Sequence, residues 1–280
     1  MLSYRHSFHA GNHADVLKHA ILIQLLNYMG QKDKPFWVID THAGAGRYSL
    51  ESVHASKLEE HVDGIARLWG HTDLPPILAD YLEAIRAENP NGRLRFYPGS
   101  PCISQSLLRE QDKLRLFELH STDHQLLAEN FSGADKNTII YADDGFATLK
   151  ALLPPPSRRG LVLIDPSYEL REDYGKVIHT LREALLKFPT GTYAIWYPQL
   201  PKLESAQLPK RLKALGAESW LHVTLTVRKP TANFGMAGSG MFIINPPWTL
   251  HAALETAMPR LRDLLAQDEH ASFTLEQLAK

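Results

Sequence analysis

Short runs of β-branched and aromatic residues, most closing on Asp, Glu, Gly or Pro, recur along the chain, and the intervals between them mostly carry helical spacing. That alternation predicts an α/β fold around a parallel sheet. Strands are expected at Phe36–Asp40, Leu114–His120, Thr138–Ala142, Leu161–Asp165, Tyr193–Tyr197, His222–Arg228 and Met241–Asn245, a seven-stranded sheet. No long helix separates the last two, only the Gly-rich loop 229–240, so they should be antiparallel neighbours. Ahead of the first strand, Val16, Leu17, Ala20, Ile21, Leu25 and Leu26 recur at helical spacing within Ala14–Tyr28, with Asn12 or His13 at its start. The interval from about residue 47 to 113 is far longer than one crossover helix. In it, Leu58–Trp69 and Ile77–Glu88 read as amphipathic helices parted by Pro75-Pro76, and the turn Pro98-Gly99-Ser100-Pro101 closes the segment. The expected organisation is one domain over residues 1–280, interrupted by a helical subdomain at about 50–108.

Composition narrows the setting. The 280 residues are 44% hydrophobic and 22% charged, ordinary for a globular protein with a sizeable core. The single cysteine, Cys102, can form neither an intramolecular disulfide nor a cysteine-based zinc site. The N-terminus lacks the pattern of a signal peptide, and no stretch approaches the roughly 18 apolar residues that would span a membrane, so a cytoplasmic protein is expected. A net charge of −1 gives no global field for nucleic acid. Any such contact must use local basic patches, for which Arg158-Arg159, Lys210-Arg211-Lys213 and Arg228-Lys229 are candidates.

Candidate chemistry collects at strand ends. Asp40-Thr41-His42-Ala43-Gly44-Ala45-Gly46 follows the first strand, and its glycines allow a tight turn against a ligand. A nicotinamide dinucleotide would want Gly or Ala at residue 49, where Ser49 stands, and an acid about 20 residues on. Carboxylates instead follow successive strands: Asp40, Glu118, Asp143-Asp144 with Gly145, and Asp165. In a parallel sheet these ends line one crevice. A ring of carboxylates suits a cationic ligand with hydroxyls and an amine, such as S-adenosyl-L-methionine, and would repel a pyrophosphate. Any one of these acids alone could be a helix cap; it is their succession that points to a site.

Two turns compete for the catalytic role, Asp165-Pro166-Ser167-Tyr168 and Asn245-Pro246-Pro247-Trp248. The first resembles the Asp/Asn-Pro-Pro-Tyr/Phe turn of the amino-methyltransferases that modify adenine N6 or cytosine N4. In that resemblance the Asp165 carboxylate and the Pro166 carbonyl accept the two N–H groups of the exocyclic amine and aim its lone pair at the methyl group, and Tyr168 stacks on the base. The second turn ends the antiparallel strand and so should lie on the opposite face.

Further stretches sharpen the likeness. Tyr4 to His19 (YRHSFHAGNHADVLKH), Asp40 to Tyr48 (DTHAGAGRY), Tyr97 to Pro101 (YPGSP) and Ile195 to Pro198 (IWYP) closely resemble the RlmJ family, adenine-N6 methyltransferases of 23S ribosomal RNA, and the likeness extends over the whole chain. The resemblance implies a class I S-adenosylmethionine-dependent methyltransferase fold, a Rossmann-like sheet with its last strand antiparallel and a helical insertion between strands one and two. It implies a cofactor site of His19, His42, Ser100, Glu118, Asp144 with Gly145, and Asp165, and an RNA contact at Tyr4. The chain departs from the family where Ser167 replaces the usual proline and where Asp143-Asp144 doubles the acid; Asp144 is favoured because Gly145-Phe146 follows it.

The histidines His6, His9, His13 and His19 suggest a metal site, but no Cys or Glu stands at a completing spacing, and no metal is expected. Lys18 is left open between a partner for the cofactor carboxylate and one for RNA phosphate. The expected protein is a monomer that methylates an adenine of 23S ribosomal RNA, with DNA or another RNA as the alternative substrate. A binding scaffold without catalysis would have lost Asp165 and Tyr168, and both are present.

Overall fold

A computed structural model of the chain describes residues 5–134, 136–231 and 235–279. The strands are β1 (Trp37–Asp40), β2 (Arg47–Ser49), β3 (Phe96–Pro98), β4 (Lys113–Phe117), β5 (Thr138–Tyr141), β6 (Gly160–Ile164), β7 (Thr192–Gln199), β8 (Trp220–Thr226), β9 (Gly238–Ile244) and β10 (Ser272–Leu278). Eight form one sheet in the order β10-β8-β9-β7-β6-β1-β4-β5, and β2 pairs with β3 in a separate ribbon. The parallel order reverses at β1, which pairs with both β4 and β6. That is the switch point beside which open α/β sheets bind ligands. β9 runs antiparallel to β7 and β8, as the loop before it required.

The main sheet has one strand more than the seven expected. The extra strand, β10, pairs antiparallel with β8 at the edge, and its residues are mostly exposed. The segment Ser272–Leu278 has only Phe273 and Leu275 in alternation before Leu278, too little apolar signal to announce a strand.

The helices are α1 (His13–Gly30), α2 (Ala55–Leu58), α3 (Ile65–Trp69), α4 (Pro76–Ala87), α5 (Ser100–Leu107), α6 (Ser121–Asn130), α7 (Gly145–Leu152), α8 (Arg171–Lys187), α9 (Leu203–Lys213) and α10 (Leu250–Leu265). α1 starts at Asn12, whose side chain accepts the amides of Ala14 and Asp15. It packs on β7 and β9, on α5 and α10, and on α4 of the insertion. With cover on every side its burial is continuous from His13 to Ile23, and the charged Asp15 and Lys18 lie inside. The helix expected at Leu58–Trp69 is broken into α2, a 3-10 turn at Glu60–Asp63, and α3. Glu59 takes a left-handed conformation (φ 50°), which ends α2, and Gly64 separates the turn from α3.

Candidate active site

The C-terminal ends of β1, β4, β5, β6 and β7 open into one cavity of about 650 Å³. His19, His42, Ser100, Glu118, Asp144, Gly145, Asp165 and Pro166 all line it, as do Lys18, Asp15, His6 and Trp196. Sequence positions from 6 to 236 thus meet because the parallel register aligns strand ends, with Asp40 opposite Leu116 and Leu163.

The turn after β1 forms the floor. Gly44 and Gly46 both have positive φ (61° and 78°), the conformation for which glycine is suited. The Gly44 amide donates to Glu118 Oε2 at 2.8 Å and the His120 amide to Glu118 Oε1 at 2.7 Å, so the loop and the end of β4 hold each other. Burial raises the Glu118 carboxyl above its ordinary pKa, against those two bonds. Across the sheet Asp144 caps α7 by accepting the Phe146 amide at 2.8 Å. Asp144 lines the cavity and Asp143 does not. Gly145 lies so close to the first turn that a Cβ there would stand 2.2 Å from the Thr41 carbonyl oxygen.

Asp40 is fully buried and accepts the Ser100 hydroxyl at 2.7 Å and the His42 amide at 3.2 Å. Burial pushes its carboxyl up to about 6, with Asp165 adding to the rise. The His42 ring sits edge-on to Phe146 at 4.7 Å, and burial pulls it down to about 4, so it is neutral at pH 7. His19 is likewise neutral, drawn to about 3 by burial. Its Nδ1 lies 2.7 Å from the Tyr97 hydroxyl, which is 3.1 Å from the Tyr81 hydroxyl. Among the described residues its buried Nε2 has no partner. If Tyr97 donates to Nδ1, then Nε2 carries the hydrogen and is a donor awaiting an acceptor.

The turn after β6 carries the acid that composition alone could not single out. Asp165 Oδ2 is 2.6 Å from Lys18 Nζ, and Lys18 is also 2.9 Å from Asp15. Asp15 in turn binds His6 Nε2 at 2.9 Å and the Gly11 amide at 2.8 Å. Burial opposes the Lys18 charge, but Asp15 and Asp165 outweigh it and hold the ammonium above the ordinary lysine value. Burial raises the Asp165 carboxyl, and Lys18 only partly offsets this. Lys18, left open in the sequence, is therefore committed to two carboxylates. Asp15 was missed there; its place three residues before Lys18 at the N-terminus of a helix was the available signal.

Tyr168 does not take the place expected of it. The ring is 1% exposed, lies outside the cavity lining, packs on Tyr174 at 4.6 Å, and donates its hydroxyl to the Trp196 carbonyl at 2.7 Å. The cause is its backbone, since φ is 52°, an uncommon left-handed value for a bulky residue that turns the side chain into the core. The aromatic ring that does line the cavity beside Lys18 is Trp196, with Lys18 Nζ 5.8 Å from its centroid. Tyr4 lies outside the described residues.

The competing turn differs in backbone as well as position. At Asn245-Pro246-Pro247-Trp248 it is the first residue that has positive φ (53°), not the fourth. The Asn245 amide group donates to the carbonyls of Pro189 and Gly191, at the start of β7, the end away from the cavity. The four histidines do not converge either: His6 binds Asp15, His9 binds Glu60 at 3.0 Å, His13 is buried, and His19 meets Tyr97.

The donor set fits S-adenosyl-L-methionine on chemistry: carboxylates at Glu118 and Asp144 for hydroxyls and an amine, the unpartnered His19 Nε2 for a carboxylate, and Asp165 near a cation. The family model described as Ribosomal RNA large subunit methyltransferase D, RlmJ, matches residues 33–278. Ribosomal RNA large subunit methyltransferase J of Haemophilus influenzae is 48% identical over 277 residues, covering 99% of this chain and 98% of that protein. The protein of the same name from Escherichia coli K12 is also 48% identical, covering 95% of this chain and 94% of its own. The crystal structure of protein LPL1258 from Legionella pneumophila superposes with a TM-score of 0.88 at 37% identity, over 96% of this chain and 98% of that one. The sheet order, the cavity at its switch point and these full-length likenesses agree, and the chain belongs to the RlmJ family of large-subunit ribosomal RNA methyltransferases.

Proposed function

We propose that this S-adenosylmethionine-dependent methyltransferase modifies the N6 amine of an adenine in 23S ribosomal RNA by direct transfer. The observation that carries the reading is Asp165, a carboxylate only 13% exposed and with a raised pKa, at the end of β6 and in the same cavity as the glycine turn. Bound S-adenosylmethionine supplies an electrophilic methyl group on a sulfonium. His19 Nε2 would hold its carboxylate, Glu118 its ribose hydroxyls and Asp144 its adenine amine, with His42, Ser100 and Gly145 shaping the walls. In the reading of the helical insertion as a subdomain over about residues 50–108, α4 packs on α1 and Glu60 reaches the cavity wall.

The adenine amine is a poor nucleophile because its lone pair is delocalised into the ring. The Asp165 carboxylate and the Pro166 carbonyl accept its two hydrogens and hold the nitrogen in line with the sulfonium methyl. The proton that the amine gives up on methylation would pass to Asp165, whose raised pKa suits it as acceptor. Lys18 fixes the orientation of that carboxylate through its 2.6 Å contact. Trp196 provides the ring on which the extruded base rests, and Tyr168 secures the turn from beneath. Tyr4 would touch the RNA from the N-terminal segment.

The test is to supply methyl-labelled S-adenosylmethionine with unmodified 23S ribosomal RNA, transfer RNA and duplex DNA in parallel. Label confined to the 23S RNA supports the reading; preferential labelling of DNA or transfer RNA sinks the substrate assignment.

A further inference from the structure

We propose that Glu60, on the helical insertion, is a positioning residue for methyl transfer: it fixes the start of α1 and so sets Asp15 and Lys18 against Asp165. The inference rests on the reading of Asp165 as acceptor for the amine. Glu60 Oε2 receives the Asn12 side-chain amide at 2.9 Å. Asn12 Oδ1 in turn receives the amides of Ala14 and Asp15, each at 3.0 Å, which makes it the cap that starts α1. One turn in, Asp15 holds Lys18 at 2.9 Å, and Lys18 reaches Asp165 at 2.6 Å. A continuous path of direct polar contacts thus runs from the insertion to the catalytic carboxylate.

The same carboxylate holds the segment ahead of the helix. Glu60 Oε1 is 3.0 Å from His9 Nδ1, so one side chain spans both flanks of the turn at residues 9–12. Other parts of the insertion hold the neighbouring residues. The Ser7 hydroxyl is 3.0 Å from His54 Nδ1, and Phe8 stacks on the His54 ring at 4.5 Å. The Ile65 amide donates to the Gly11 carbonyl at 2.8 Å. A Cβ at Gly64 would stand 2.0 Å from that carbonyl oxygen, so the insertion and the N-terminal segment meet backbone to backbone.

Burial does not account for the arrangement. The Glu60 side chain is 34% exposed, lines the same cavity as Asp165, and contributes little packing. α1 is already held by apolar contacts along its length. Besides that packing, the first turn is set by polar contacts at its start, and a shift of about 1 Å there would move Lys18 off the Asp165 carboxylate. The two oxygens of Glu60 hold both ends of the segment that leads into that turn.

The experiment uses the full chain, S-adenosylmethionine and 23S ribosomal RNA, comparing Glu60→Ala, Glu60→Gln and His54→Ala. Glu60→Ala should lower kcat about 10- to 100-fold with KM for the methyl donor changed less than about threefold. Glu60→Gln, which can still accept from Asn12, should recover most of that loss. His54→Ala, which leaves the Asn12 bond intact, should cost about threefold or less. In a Lys18→Ala background, Glu60→Ala should cost nothing further, because its effect passes through Lys18. Wild-type kcat in Glu60→Ala, an undiminished further loss in the Lys18→Ala background, or equal losses in the Ala and Gln variants would overturn the proposal. Absence of adenine methylation by the unaltered protein would instead overturn the functional reading beneath it.

Discussion

Asp165 and Asp40 both have raised pKa values, and their surroundings give them different work. Asp165 touches Lys18 and lines the cavity, and in the proposed transfer its ionised form is the active one. Its raised pKa places an acid limb on activity: kcat/KM should climb as pH rises through that pKa, and Lys18→Met, which removes the partner that lowers it, should move the limb to higher pH. A pH–rate series on both proteins checks this. Asp40 is sealed under Ser100 and His42. Its folded pKa, about 6, exceeds the unfolded 3.8, so the folded state binds the extra proton. The stability it contributes is complete below pH 3.8 and lost as pH rises through about 6. Asp40→Asn carries no charge to bury, so its stability relative to wild type should rise by about 2 kcal/mol between pH 4 and pH 7.5, read by denaturant unfolding at each pH. The sequence singled out both acids from their place after strands. It could not show that Tyr168 turns inward, because a left-handed backbone at a bulky residue is sustained by tertiary contacts, here the bond to Trp196 and the packing on Tyr174.

Among elements, those with strong periodicity were legible and those held by contact were not. The parallel strands and α1 announce themselves through apolar runs, and the glycine turn through its spacing. The β2–β3 ribbon is short and β10 is half-polar and mostly exposed, and each pairs with an available partner strand. The break of the expected Leu58–Trp69 helix also lies outside local pattern; it lets Glu60 face Asn12 and lets Gly64 approach Gly11. The likeness of the two proline turns was likewise a likeness of letters, since their left-handed residues stand at opposite ends. One junction between elements is open to a direct test. Gly145 starts α7 against the first turn, and Gly145→Ala would place a Cβ 2.2 Å from the Thr41 carbonyl oxygen. The two elements must part, so affinity for S-adenosylmethionine should fall about tenfold or more and stability by about 1–3 kcal/mol, measured by calorimetric titration and thermal melting.

At the scale of the molecule, the cavity opens at the half of the sheet around β1, and β10 completes the other edge. Phe273 and Leu275 pack partly against the core, while the other residues of β10 are mainly exposed. Truncation before Ser272 should therefore lower Tm by about 3–8 °C yet leave kcat/KM at temperatures well below the melt within about twofold. A large loss of activity at full folding would mean that this edge contributes to RNA recognition. With a net charge of −1 the protein has no overall attraction to RNA, so any RNA contact must rest on local surfaces. The central claim is that Asp165 directs the methyl group to adenine N6. Its most direct measurement is the nucleoside composition of labelled 23S RNA after complete digestion, for wild type and Asp165→Ala side by side. The account expects N6-methyladenosine as the one labelled nucleoside with wild type, and at least a thousandfold less label with Asp165→Ala. Label in any other nucleoside, or undiminished N6-methyladenosine from the variant, would contradict it.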